Sequence, residues 1–303
     1  MPRTFALVLF LLSGLLPATQ AGSHHEASPS FRITHLSDSV SLLQGRGGNL
    51  AISHGPDGIL LVDSDFADMS PALASAVSSL RAGPVRYLLN THWHGDHTGG
   101  NAALTPLPAI IAHHNVRERV STLQQRPSRG SVVEPLPTAG WPVVTFDQRL
   151  SVHFNNEEIR LRHLPGGHTD GDAIVIFSGS KVVHLGDLFF SGRFPFIDLD
   201  TGGSVEGYID NVESLLNQLP ADVTIIPGHG PLSTLNNLRT YHRMLTSTAD
   251  WARQQRAAGA TLQQAIATGL TDEWNGWGDG FINEESWITT LYRGLPMTVP
   301  ATP

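Results

Sequence analysis

The sequence predicts a protein of the α/β (α+β) class, built as two β-layers flanked by helices. Three observations lead there. Apolar runs of strand length precede helical patterns in both halves of the chain. The 303 residues are 40% apolar and 15% charged, enough to bury a large core. No repeat at a solenoid period runs through the chain.

The elements follow in order. "SVSLLQG", "GNLAISH" and "ILLVDSD", with the turn signal "GPDG" at residues 55–58, read as an antiparallel meander. Ser70 and Pro71 open a helix over "PALASAVSSLRA", with Ser70 expected at the cap and Pro71 at the first helical position. "VRYLLNT" is a buried strand. "PAIIAHH" is a strand, "NVRERVSTLQQ" a helix, and residues 126–142, rich in Pro, Gly and Ser, a long loop. "EIRLRHL" alternates with period two, and "DAIVIF" and "KVVHLGD" form a hairpin across "SGS". "YIDNVESLLNQL" is a helix and "VTIIPGHG" a strand with its loop. From Pro231 to about Arg293 the chain is mostly helical.

The first 21 residues read as a secretory signal: Arg3, an apolar run from Phe5 to Leu16, and small residues up to Ala21. Residues 22–30 are expected to be flexible and residues 31–303 to form one domain with a helical C-terminal region. Cleavage would leave a secreted, periplasmic protein with no stable insertion in the membrane. The net charge of −8 excludes the basic surface that nucleic-acid binding needs. The expected partner is a small-molecule substrate; nothing in the pattern sets an oligomeric state. With no cysteine, the chain has neither disulfides nor thiolate ligands, so a zinc site must use imidazole and carboxylate.

Residues 91–100, "THWHGDHTGG", place His92, His94, Asp96 and His97 within six positions, directly after an apolar strand. Three further strands or loops deliver His168 ("LPGGHTDGD"), Asp187 ("KVVHLGD") and His229 ("VTIIPGHG"). Neutral imidazoles and carboxylates suit two divalent ions, two Zn2+ being the expectation. His92, His94 and His168 are assigned to the first ion, and Asp96, His97 and His229 to the second. Asp187 bridges both, together with a hydroxide. The remaining histidines, among them His54, His113, His114, His153, His163, His184 and His242, are read as structural or surface residues. Asp172 is expected to order the His168 loop, and Trp274 and Trp277 to pack.

"HWHGDH", "GGHTDGD", "LGD" and "PGHG", in this order, resemble the metallo-β-lactamase superfamily of binuclear hydrolases over roughly residues 35–235. The resemblance implies a four-layer αββα sandwich with the metals at one edge. It also implies that Asp63, in "LLVDSD", hydrogen-bonds a metal-ligating histidine.

The chemistry expected is hydrolysis of an activated acyl bond, a β-lactam-like amide, lactone, ester or thioester, by the bridging hydroxide, with Asp96 orienting it. β-Lactam turnover is expected to be detectable, if weak, since a periplasmic address would make lactams accessible. Dedicated β-lactamases of the superfamily usually carry cysteine or serine where this chain has Asp187; thioesterases of the glyoxalase II type and lactonases resemble it more. Arg193, within "LFFSGRFPFID", is a candidate for binding a substrate carboxylate, with Phe189, Phe190, Phe194 and Phe196 as an apolar wall or as core. Two further readings are a one-iron oxidoreductase resembling persulfide dioxygenases and a metal-binding accessory protein without turnover.

Overall fold

The structure, a computed structural model, describes Met1 and residues 29–81 and 83–296. The expected signal segment, residues 1–21, and flexible stretch, residues 22–30, lie outside the described residues but for Met1, Pro29 and Ser30. No helix among the described residues is long and apolar enough to cross a membrane.

The chain opens with four antiparallel strands, β1 (Arg32–His35), β2 (Val40–Gln44), β3 (Asn49–Gly55) and β4 (Gly58–Val62). After helix α1 (Ser70–Leu80) comes β5 (Val85–Leu89), then the short helix α2 (Gly95–Thr98), β6 (Ala109–His113) and α3 (His114–Ser121). A two-stranded hairpin follows, β7 (Gln124–Arg126) with β8 (Ser131–Val133). β9 (Val144–Phe146) returns to the first sheet, whose order is β1-β2-β3-β4-β5-β6-β9. The second sheet comprises β10 (Arg149–Phe154), β11 (Glu157–His163), β12 (Ala173–Phe177), β13 (Val182–His184) and, after helix α4 (Val205–Gln218), β14 (Thr224–Ile226). Helices α5 (Leu235–Ala257), α6 (Leu262–Thr268) and α7 (Glu284–Gly294) complete the described chain.

Side chains that alternate along the strands build three apolar layers. Leu42, Leu60 and Val62 point inward and meet Ile159, Leu161 and Val175 of the second sheet. Their neighbours Leu43 and Leu61 point outward onto Leu73 and Val77 of α1. On the far side Ile174, Val183 and Ile225 carry Tyr208 and Val212 of α4, Tyr241 of α5 and Trp287 of α7. Both faces of each sheet are therefore covered, which is why the central strands read as continuous apolar runs. Each such side chain contributes roughly 1.5–3 kcal/mol of transfer free energy. The architecture is the expected αββα sandwich. Trp274 and Trp277 pack in the third layer, as expected.

Four local expectations are corrected. Ser70 is the first residue of α1, not its cap; its hydroxyl donates to the Ala67 carbonyl, and Met69 precedes the helix without a side-chain cap. Pro71 therefore stands one place further in. Helix α3 stops at Ser121 because Thr122 turns extended and its hydroxyl donates to the Glu118 carbonyl. The loop 126–142 contains part of the β7–β8 hairpin. Strands β1, β9 and β10 are additional to the sequence reading.

His113 ends β6 and His163 ends β11, and their rings stack 3.7 Å apart across the two sheets. Both stay largely out of solvent. Burial, then the neighbouring His163 and His114, push His113 down to about 4. The folded chain thus resists protonation between about pH 4 and pH 6.5, where the unfolded chain takes up the proton. Stability from this group is complete above the unfolded value and is lost as pH falls through that window, by roughly 1–3 kcal/mol. Urea midpoints of metal-free protein should fall between pH 7.5 and pH 5, and His113→Gln should flatten the slope. Parallel curves for both proteins would remove His113 from the effect.

Candidate metal centre

The seven residues singled out by the sequence come together at one edge of the sandwich. β5 runs into the turn that carries His92 and His94, and α2 presents Asp96 and His97. The turn is held by buried amides: Ser64 Oγ donates to Asn101 Oδ1 at 2.7 Å, and Asn101 Nδ2 to Asn90 Oδ1 at 2.9 Å. The His168 loop is tied by Asp172, which accepts from the His168 amide at 2.6 Å and the Thr169 hydroxyl at 2.6 Å. Burial pushes Asp172 up to about 6. Asp187 follows β13, and its carbonyl accepts from Tyr208 Oη at 2.6 Å, itself paired with Tyr241 Oη at 2.8 Å. His229 follows β14, its ring stacked on Phe190.

His92, His94, His168 and Asp187 offer ligand atoms within 4.8 Å of one another, and so do Asp96, His97 and His229. Asp187 stands between the groups. Its Oδ1 is 3.1 Å from His97 Nε2, and its Oδ2 is 3.4 Å from both His168 Nε2 and His229 Nε2. Two glycines leave the room: a Cβ on Gly228 would fall 2.0 Å from Asp187 Oδ1, and one on Gly48 2.1 Å from the His97 ring.

The outer hydrogen bonds dictate which imidazole nitrogens carry protons. His97 Nδ1 donates to Asp63 Oδ2 at 2.8 Å, so the sequence expectation for Asp63 coincides with the geometry. Thr91 Oγ1 donates to the same oxygen at 2.7 Å and so accepts from His92 Nδ1 at 3.1 Å. His168 Nδ1 donates to the Phe196 carbonyl at 2.7 Å, and His94 Nε2 to Asp198 Oδ2 at 2.9 Å. In the neutral state each of these four rings aims a lone pair inward. His94 Nδ1 and His168 Nε2 face each other at 2.8 Å with no proton left to share. His92 Nε2, His97 Nε2 and Asp187 Oδ1 are buried without a hydrogen-bond partner. Converging lone pairs and an orphaned carboxylate oxygen fit bound cations, which relieve the repulsion.

Without cations, charged imidazoles take over the neutralisation: against burial, Asp187, Asp96 and Asp63 raise His97 well above its ordinary value. Burial would raise Asp187, but His229, His97, His92 and His168 hold it well below the carboxylate range. Against desolvation, Asp187 and Asp96 raise His229 to about 9. Burial drives His94 down to about 4 despite Asp198.

The site opens into a cavity of about 480 Å³, lined by Arg46, Arg126, Arg129 and Arg193 and by apolar rings. Phe190, Phe194 and Phe196 reach it; Phe189 lies in the core instead. Arg193 lies at the cavity wall. Asp198, Arg126 and Arg129 are additions that the sequence reading did not single out; Thr91 opens the quoted histidine motif but was given no role there.

A family model for the metallo-beta-lactamase superfamily matches residues 49–229. The chain is 29% identical over 177 residues to a hydroxyacylglutathione hydrolase of Polaromonas sp. (strain JS666 / ATCC BAA-500), covering 58% of each chain. It is 31% identical over 197 residues to one of Halorhodospira halophila, covering 60% of this chain and 65% of that one. The match thus spans less than two thirds of these relatives. Among solved structures, a metallo-beta-lactamase from Pontibacter korlensis superposes with a TM-score of 0.58 at 18% identity, over 72% of this chain and 99% of that one. The DIM-1 metallo-beta-lactamase gives 0.57 at 16%, over 73% and 99%. At these identities the structures speak for the fold. Fold, motif order and family match coincide on the same residues, and the chain belongs to the metallo-β-lactamase superfamily.

Proposed function

We propose that the protein is a zinc-dependent hydrolase of activated acyl bonds, and that a thioester with an anionic portion suits it better than a β-lactam. The observation that carries the reading is the set of inward lone pairs around Asp187. In this reading His92, His94 and His168 hold one zinc ion, Asp96, His97 and His229 the other, and Asp187 both. Bound zinc would supply Lewis acidity to the scissile carbonyl and a water acidified towards neutrality. Zinc is preferred because every donor is imidazole or carboxylate.

The chain's own residues do the rest. Burial opposes it, but His97 and His229 keep Asp96 ionised at the cavity wall. There its carboxylate can orient the attacking water and accept its proton. Arg46 pairs with Asp68, and Arg126 with Asp198. No carboxylate pairs with Arg129 or Arg193 among the described residues, so these two cavity guanidiniums are the ones left for a substrate anion. Phe190, Phe194 and Phe196 exclude water from its apolar part.

The carboxylate at position 187 and the hydroxyacylglutathione hydrolases among the relatives support thioester over lactam. We further propose export to the periplasm, on the pattern of residues 1–21 alone.

Gently purified mature protein should contain near two equivalents of zinc by elemental analysis; a stable, active one-iron form would overturn the metal assignment. Asp187→Ala should lose metal and at least about two decades of kcat/KM. Across thioester, lactone, ester and lactam panels, carboxylated thioesters should turn over fastest. Arg193→Ala should raise KM for them by about one to two decades and leave neutral esters nearly unchanged. Equal losses on both would make Arg193 structural.

A further inference from the structure

We propose that Asp198 is a positioning residue for the first ion's ligands, clamped in place by Arg126 from the β7–β8 hairpin. The proposal rests on the two-ion reading of the site. It adds residues that neither the ligand motifs nor Asp63 account for.

The segment Phe196–Asp198 meets the first group at three points. The Phe196 carbonyl accepts from His168 Nδ1 at 2.7 Å. The Asp198 amide donates to the His168 carbonyl at 2.9 Å. The Asp198 carboxylate accepts from His94 Nε2 at 2.9 Å. This stretch therefore sets both the proton position and the aim of two of the group's three imidazoles. A histidine in the HxH spacing can ligate through either nitrogen. Asp198 removes the choice for His94 by occupying Nε2, so Nδ1 faces the ion position.

Asp198 is only 2% exposed, and an isolated buried carboxylate is costly. Arg126 answers that cost. Its guanidinium donates to the same Oδ2 at 3.1 Å and lies 4.8 Å from the centre of the Trp93 ring. Trp93 is the residue between His92 and His94, and its indole Nε1 donates to Thr201 Oγ1 at 3.3 Å. Arg126 thus braces both the carboxylate that aims His94 and the backbone between the two ligands. Two more contacts fasten the hairpin to this stretch and the residues just after it: the Arg129 guanidinium 4.0 Å from the Phe196 ring centre, and Ser128 to Asp200.

The arrangement divides labour between two buried carboxylates. Asp63 reaches His97 directly and His92 through Thr91, one ligand from each group. The Asp198 carboxylate hydrogen-bonds His94 alone among the candidate ligands, within the first group. Loss of Asp198 should therefore weaken one ion and spare the other, whereas loss of Asp63 should weaken both.

Zinc affinities of the two positions are to be measured by stepwise titration of metal-free protein against a competing chelator, with cobalt loading as a spectroscopic check. Asp198→Ala should lower one of the two affinities by about tenfold to a hundredfold, leave the other within about threefold, and shift the visible bands of only one cobalt ion. Asp198→Asn, which keeps an acceptor oxygen for His94, should recover part of the loss. Arg126→Met, which keeps packing over Trp93, should fall between Asn and Ala in the same affinity. Asp63→Ala should lower both affinities. Circular dichroism of each metal-free variant reports folding, and Asp198→Asn carries the test if the alanine variant unfolds. Unchanged affinity in the Asp198 variants, or equal loss at both positions, would overturn the proposal. Wild-type protein that takes up no second equivalent would instead overturn the two-ion reading beneath it.

Discussion

The rest of the site depends on one constraint: imidazole lone pairs are forced to converge in a buried space. Four histidines have their outer nitrogens committed to Asp63, Thr91, Asp198 and the Phe196 carbonyl. A neutral ring cannot turn its proton inward without breaking a buried hydrogen bond. The inward face is therefore electron-rich by construction, and Asp187 makes it more so. A protein that stores such repulsion in a dry site needs cations there. Loops, glycines and tyrosines around the site serve to hold that arrangement rather than to take part in it.

The sandwich supplies the rigidity. Ligands follow the ends of β5, β13 and β14, strands whose faces are covered by apolar layers. A ligand on such a strand cannot drift without disturbing a packed core. Gly228 shows how tight the fit is, since even a methyl group there would collide with Asp187. Tyr208 fixes the Asp187 backbone from behind, so the carboxylate is held from both sides.

The candidate ligands were legible because each lies within a few residues of an apolar run, and the spacing in "HWHGDH" is local. The αββα layering was legible for the same reason: strands buried on both faces leave continuous apolar signatures. Strand β10 was harder to see. It is an edge strand whose Arg149, Ser151 and His153 face solvent, so half its residues are polar. β7 and β8 have three residues each and no apolar run, so only their pairing defines them. Asp198 and Arg126 were invisible for a different reason. Their contacts join residues 104 and 72 positions apart, and neither sits in a recognisable spacing. Asp198 in "FPFIDLD" looks like any loop aspartate until the fold brings His94 to it. Among Phe189, Phe190, Phe194 and Phe196, core and cavity roles are not alternatives, since Phe190 and Phe194 do both.

The hairpin between α3 and β9 has a consequence for how such an enzyme diversifies. It pairs with neither large sheet, yet it carries two of the four arginines that line the cavity. None of its residues belongs to the three apolar layers; Val133 packs only on the smaller cluster of Trp93, Val116 and Val120, so the hairpin turn can change without disturbing the sheets. In the proposed reading, part of the charge that meets the substrate is carried by this insert. Arg126 limits that freedom: an insertion that displaced it would also leave the carboxylate beneath it without its counter-charge. Selection for new substrates is expected to spare position 126 while rewriting position 129 and the turn around it.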